Sequence, residues 1–257
     1  MTESREVPHI ELCGVGKRYG TAPPVLESID LTVHKGEFVS IIGPSGCGKS
    51  TILKLVAGLV AVTSGTLLVD GMTPVNAREI VSFIFQDPTL LPWRTVEGNI
   101  GLALELDHAP RDTRPQKIEA LLRLVGLSAV AKSYPRQLSG GMKMRVSIAR
   151  ALASKPRILL MDEPFAALDE LSRDKLNEEL LRLREEQGWT VLFVTHSVAE
   201  AVYLSDRIIV LTPHAGRVAH EIKIDLPSPR TSELRSSTAM DQCIGVVSKA
   251  LRGAHAS

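Results

Sequence analysis

Five short runs of apolar, largely β-branched residues, at 38–42, 81–85, 157–161, 191–195 and 207–211, are near-continuous rather than alternating. That is the pattern of strands buried on both faces of a parallel sheet. Between 169 and 186, Leu176, Leu180 and Leu183 recur at helical spacing while Glu178, Glu179, Arg182 and Arg184 fall elsewhere around the turn, which predicts an amphipathic crossover helix before the strand at 191. Alternation of this kind predicts an α/β fold with right-handed βαβ connections. Two stretches break it. Residues 10–12 and 26–33 alternate apolar with polar positions around Gly20 and the pair Pro23 and Pro24, predicting antiparallel strands added to one edge. From about 90 to 153 strand signal is weak, whereas 118–124 and 142–152 read as helices, so an inserted helical lobe is expected there. Past residue 226 the chain turns polar and only 244–251 carries a short apolar face, which fits either a docked helix or a partly disordered tail.

Composition narrows the function. The chain of 257 residues carries 30 Lys and Arg against 29 Asp and Glu, a formal charge of +1, with 4% aromatic residues. A near-neutral, aromatic-poor chain lacks the basic excess and stacking platforms of a nucleic-acid binder. Its most apolar stretch, 51–62, is interrupted by Lys54 and falls short of the ~20 apolar residues that span a bilayer. The polar start, with Glu3, Arg5 and Glu6, does not resemble a secretory leader. Cys13, Cys47 and Cys243 are odd in number and widely separated, and no His or Cys pair has metal-ligand spacing. The expectation is a reducing compartment without disulfides or a structural metal.

Three motifs carry chemistry. Gly43, Pro44, Ser45, Gly46, Cys47, Gly48, Lys49, Ser50 and Thr51 lie between an expected strand and an expected helix and match G-x-x-x-x-G-K-[ST]. Glycines there let backbone N–H groups converge on phosphates, Lys49 reaches the outer phosphates, and Ser50 is placed to ligate Mg²⁺. A second hydrophobic strand ends in Asp162 and Glu163. An aspartate at that position beside a phosphate loop can hold Mg²⁺, and the adjacent glutamate can polarise a water for in-line attack on a γ-phosphate. Third, Ser139, Gly140 and Gly141 open the helix expected at 142–152 and offer a hydroxyl and free amides, a second anion site.

Taken together and in order, these residues resemble the ATP-binding subunits of ABC transporters over at least residues 10–226. The resemblance implies a P-loop NTPase with a mostly parallel core sheet, an antiparallel β edge and an inserted helical subdomain. It divides the chain into a nucleotide-binding core at 1–89 and 154–222, a signature lobe at 90–153 and a C-terminal extension at 223–257. Walker A corresponds to residues 43–51, the Q-loop to Gln86, the signature to 138–142, Walker B to 158–162, the D-loop to 166–169 and the H-loop to His196.

By the same resemblance Tyr19 stacks on adenine, Gln86 senses Mg²⁺ and the attacking water, Glu163 is the general base, His196 contacts the γ-phosphate, and Asp169 couples two nucleotide sites. One Walker A and one signature per chain could form a site in cis or two sites across a dimer; the resemblance implies a homodimer binding ATP and Mg²⁺ between its copies. It also implies an integral membrane permease as partner, a solute-binding protein acting through it, no nucleic acid, and a peripheral position on the cytoplasmic face of the membrane.

The stretch 85–100, with Trp93, and the residues around 164–169, 195–203 and 226–230 are similar to the nitrate, sulfonate and taurine importer branch. That likeness implies an importer of a small anionic solute; an ABC subunit for another solute, a soluble ABC ATPase, an exporter cassette and an unrelated P-loop kinase are the competing readings. Met142 and Met144 depart from the family pattern, and Ala166 stands where many members have serine.

Overall fold

The computed structural model describes residues 8–256 apart from 167 and 214. In chain order the elements are β1 (Pro8–Lys17), β2 (Leu26–His34), β3 (Phe38–Ile42), α1 (Lys49–Val56), β4 (Ser64–Val69), β5 (Val81–Ile84), α2 (Val96–Leu106), α3 (Arg114–Leu124) and α4 (Gly140–Leu152). They continue with β6 (Ile158–Asp162), α5 (Glu170–Gln187), β7 (Thr190–Val194), α6 (Val198–Leu204), β8 (Arg207–Leu211), β9 (Val218–Lys223) and α7 (Thr238–Ala256).

Strands β5, β6, β7, β3 and β8 are parallel neighbours in that order, with β9 antiparallel on the edge beyond β8. The β-branched runs at 38–42, 191–194 and 208–211 are buried along their whole length, because helices or a second sheet cover both faces. On one face Phe38, Phe165, Phe193 and Tyr203 pack with α4, α5, α6 and α7. On the other, Val39, Ile41, Leu192 and Ile209 meet α1 and the antiparallel strands.

Those antiparallel strands form a sheet of their own, β2-β1-β4, whose third member the residue pattern did not reveal. It is not stitched along the edge of the parallel sheet; among the described residues a backbone bridge from Leu26 to Gly216 links it to the β8–β9 connection. Helices α2, α3 and α4 enclose a separate apolar cluster built on Val96, Ile100, Leu122, Leu138 and Val146. Met144, Ile148 and Leu152, on another side of α4, sink into the main core instead. Position 144 is thereby accounted for: its side chain is 3% exposed, and a glutamine there would bury an amide. Met142 packs on the lobe cluster.

The tail is a docked helix. Met240, Val247 and Ala254 of α7 are buried, and two arginines ahead of it fix its approach. Arg230 donates to the carbonyls of Tyr203 and Ser205 at 2.8 and 2.7 Å, where α6 ends. Arg235 lies over the Tyr203 ring, 3.7 Å from its centroid, and pairs with Asp174 of α5 at 2.8 Å. No helix among the described residues is long and apolar enough to cross a membrane.

Candidate active site

In a parallel sheet every strand delivers its carboxyl end to the same edge. Here that edge receives Gln86 after β5, Asp162 and Glu163 at the end of β6, His196 after β7, and the Gly43–Ser50 loop after β3. Sheet order alone therefore lines up residues separated by more than a hundred positions in sequence.

The loop enters α1 through Gly48, whose φ of 98° lies in the left-handed region; a Cβ there would stand 2.4 Å from Leu26 Cδ2. Only glycine fits. No side chain caps α1 and its first turn holds no acid, so the free N–H groups and the positive end of the helix face outward, ready for an anion. Lys49 is 7% exposed, and its ammonium donates to the carbonyls of Gly43 and Pro44 at 2.9 and 2.7 Å. No carboxylate pairs with it among the described residues. A buried cation held only by neutral partners is suited to a phosphate as its counter-ion.

Ser50 Oγ donates to Asp162 Oδ1 at 2.8 Å. Burial pushes the Asp162 carboxyl above its ordinary range; the Ser50 bond opposes this, neighbouring Glu163 adds to it, and Lys54 and Lys49 pull it down. A carboxylate short of solvation beside a hydroxyl is favourable ground for a hard cation. No group of three His, Cys, Asp or Glu side chains among the described residues forms a closed metal cage.

Glu163 occupies the left-handed region without being glycine, at φ 46°. Its N–H donates to the Val194 carbonyl of β7 at 2.9 Å, which turns the chain off β6 and directs the carboxylate toward His196; Oε2 lies 3.2 Å from Nδ1. Residues in such backbone regions concentrate at functional sites. His196 sits on a tight turn: Thr195 Oγ1 accepts from the Ser197 N–H at 3.0 Å and donates to Glu200 Oε2 at 2.5 Å. Ser197 then caps α6 through the Glu200 N–H.

Lys49, Ser50, Asp162, Glu163 and His196 thus form one cluster, and beyond the phosphate loop no hydrogen bond or ion pair joins the other expected residues to it among the described residues. Gln86 and Tyr19 are exposed, the Tyr19 ring carrying the Lys17 ammonium 4.7 Å from its centroid. Ser139 caps α4, accepting from the Met142 N–H at 3.3 Å. Gly140 and Gly141 face Leu168, which brings the signature beside the D-loop. Asp169 caps α5 through the Ser172 N–H at 2.9 Å, and that bond holds its carboxyl below the ordinary range. Ala167, within the same loop, lies outside the described residues.

Two participants went unnoticed in the sequence. Glu200 was visible five residues beyond Thr195, yet nothing local marks it as buried. Arg150 donates to the carbonyls of Pro88 at 2.9 Å and Thr89 at 3.0 Å, tying α4 to the chain just past Gln86; its signal is hidden among ordinary helix cations.

A parallel sheet whose carboxyl edge gathers a phosphate loop, a buried lysine, a Ser–Asp pair and a carboxylate beside a histidine defines an ATP-binding ATPase of the P-loop class. Comparison with known proteins agrees. The ABC transporter family model matches residues 26–166. An aliphatic sulfonates import ATP-binding protein, SsuB 1 of Xanthomonas axonopodis pv. citri, is 47% identical over 86% of this chain and 88% of its own length. The nitrate import ATP-binding protein NrtC of Synechococcus elongatus is 47% identical over 80% of this chain, which spans 32% of that longer protein. A dimeric ATP-binding cassette solved in a post-hydrolysis state with ADP and Pi superposes with a TM-score of 0.76 at 35% identity, covering 85% of this chain and all of that one. The chain belongs to the ABC transporter family, as an ATP-binding subunit.

Proposed function

We propose that two copies of this chain hydrolyse ATP at their shared interface and so drive a membrane permease that imports a small oxyanion of the sulfonate or nitrate kind. The observation that carries the ATPase half is the five-residue cluster joined by the Ser50–Asp162 bond of 2.8 Å and the Glu163–His196 contact of 3.2 Å. Lys49 and the loop amides would hold the outer phosphates, and Ser50 and Asp162, with Gln86, would hold Mg²⁺. When bound, that ion neutralises phosphate charge as the γ-phosphoryl group leaves.

Glu163 orients a water in line with the γ-phosphate and accepts its proton, while His196 holds the Glu163 carboxylate in place beside the phosphate. Tyr19 supplies an aromatic face for adenine. Ser139, with the Gly140 and Gly141 amides, makes no hydrogen bond to the phosphate loop of its own chain among the described residues. Its role is therefore read as closing on ATP held by the partner copy, an isologous arrangement, with Asp169 linking the two sites.

This reading keeps the division into a core at 1–89 and 154–222, a lobe at 90–153 and an extension at 223–257. The permease would dock near Gln86, where Trp93 is 71% exposed. Asn99 orders the turn presenting that indole, accepting from the Leu91 N–H at 2.8 Å and donating to the carbonyls of Arg94 and Thr95 at 3.1 and 3.0 Å. Such anchoring favours an aromatic held ready for a partner over a freely moving one. The subunit would then sit peripherally on the cytoplasmic face, and a solute-binding protein would select the cargo.

Gel filtration tests the dimer: Glu163→Gln with Mg-ATP should elute as a nucleotide-loaded dimer, and elution only as monomer overturns it. Affinity recovery from solubilised membranes tests the partner. A multi-span permease is expected, and recovery with ribosomes instead would reject the transport reading. Ligand screening of the cognate binding protein tests the cargo, a small oxyanion being the expected ligand.

A further inference from the structure

At the end of the sheet opposite the phosphate loop, a groove of about 410 Å³ opens between α3 of the lobe and the turns after α4 and α5. Leu121, Leu124, Leu152 and Trp189 give it an apolar floor, and Lys117 and Lys155 stand on its rim. No carboxylate lines it, and neither lysine has an ion pair among the described residues. Trp189 is 5% exposed and belongs to the main core.

We propose that this groove binds an amphipathic anion: an unbranched alkyl chain bearing one sulfonate or carboxylate head. The floor takes the chain out of water, which tightens binding about fourfold per buried methylene. Two cations with no carboxylate in the lining select the sign of the head group, since charge complementarity rejects a like-charged ligand. The volume falls within the ordinary range of small-molecule sites. Walls drawn from both lobe and core make the site sensitive to their relative position. It lies away from the nucleotide edge, and nothing in the proposed transport cycle uses it.

The test uses tryptophan fluorescence. The chain has 2 tryptophans, so Trp93→Phe leaves Trp189 as the sole reporter. Octylsulfonate and decylsulfonate, kept below their micellar concentrations, should each shift Trp189 emission saturably, the decyl compound binding about fifteenfold tighter because two further methylenes are buried. Lys117→Glu with Lys155→Glu should weaken decylsulfonate at least tenfold, and decyltrimethylammonium should fail to saturate. Absence of a saturable shift, equal affinity for anion and cation, unchanged affinity after the charge reversals, or a shift accompanied by loss of far-ultraviolet circular dichroism would each overturn the proposal.

Discussion

Replacing Glu163 by glycine should make the folded chain more stable than replacing it by alanine, while both substitutions silence hydrolysis. The backbone at 163 holds φ 46°. A Cβ in the left-handed region costs about 1–2 kcal/mol, whereas glycine forfeits about 0.4–1 kcal/mol through the greater freedom of its unfolded chain. The difference leaves glycine ahead by about 0.5–1 kcal/mol, or roughly 2 °C in melting temperature for a chain of this size. Loss of the side chain cancels from the comparison, because both variants equally lose the contact to His196 and the repulsion that Glu163 exerts on Asp162. Turnover should fall by about 10²–10⁴, the usual contribution of a general base. Thermal melts followed by circular dichroism without nucleotide, together with phosphate release under saturating Mg-ATP, measure both quantities. A glycine variant melting at or below the alanine variant would refute the claim that this position stores backbone strain.

Glu200→Gln should stabilise the chain increasingly as pH rises from 4 to 7. Burial raises the Glu200 carboxyl above its ordinary 4.5, so the native state binds the proton more tightly than the unfolded state, and the wild type loses stability as pH climbs through that interval. Urea midpoints at pH 4 and 7 check this, and a constant gap would contradict it. Lys49→Ala should abolish ATP turnover at least 100-fold with the fold retained, since Lys49 is held by two loop carbonyls and by no carboxylate; phosphate release above that limit would mean that another loop is used. Cys47, whose thiol is pushed up by burial, should react with a thiol reagent at pH 7.5 far more slowly than the exposed Cys13, and more slowly still with ATP present; paired Cys→Ser variants isolate each rate.

What the residues reveal in advance depends on how local the physics is. The phosphate loop was legible because its chemistry needs glycine, lysine and serine within a few positions, and Asp162 and Glu163 because a buried strand must end before two acids. The core strands showed themselves by remaining apolar on both faces. Strand β4 did not, since half of it is exposed and it begins Ser64, Gly65, Thr66. Strand β9 runs exposed through His220 and Glu221, an edge position where polar residues discourage further pairing. The register of β1 against both neighbours breaks near Gly14 and Val15, which no alternation rule anticipates. Helix α7 was ambiguous because it is anchored by Arg230 and Arg235, polar residues whose partners Tyr203, Ser205 and Asp174 lie far back in the chain. Glu200 and Arg150 were silent for the same reason: their significance comes from what folding brings beside them.

That last class of contact sets how the site is wired. Helix α4, capped by Ser139, begins at Gly140 and spans 13 residues, about 20 Å of stiff rod. Near its far end Arg150 grips the carbonyls of Pro88 and Thr89. At mid-length Arg145 reaches Glu179 of α5 at 3.5 Å and the Val125 carbonyl at 3.3 Å, and Met144 and Ile148 are sunk in the main core. Its first turn lies against Leu168, one residue before the cap of α5. A displacement of the chain after Gln86 cannot be absorbed by bending a helix held at these points, because packed side chains shift between discrete arrangements rather than deforming smoothly. We propose that it appears instead at Ser139 and at the start of α5. The polar residues that tie α4 down therefore join the chain after Gln86 to Ser139 and Leu168 through one helix, and the hydrogen bonds of Arg150 to Pro88 and Thr89 are where the chain after Gln86 meets it.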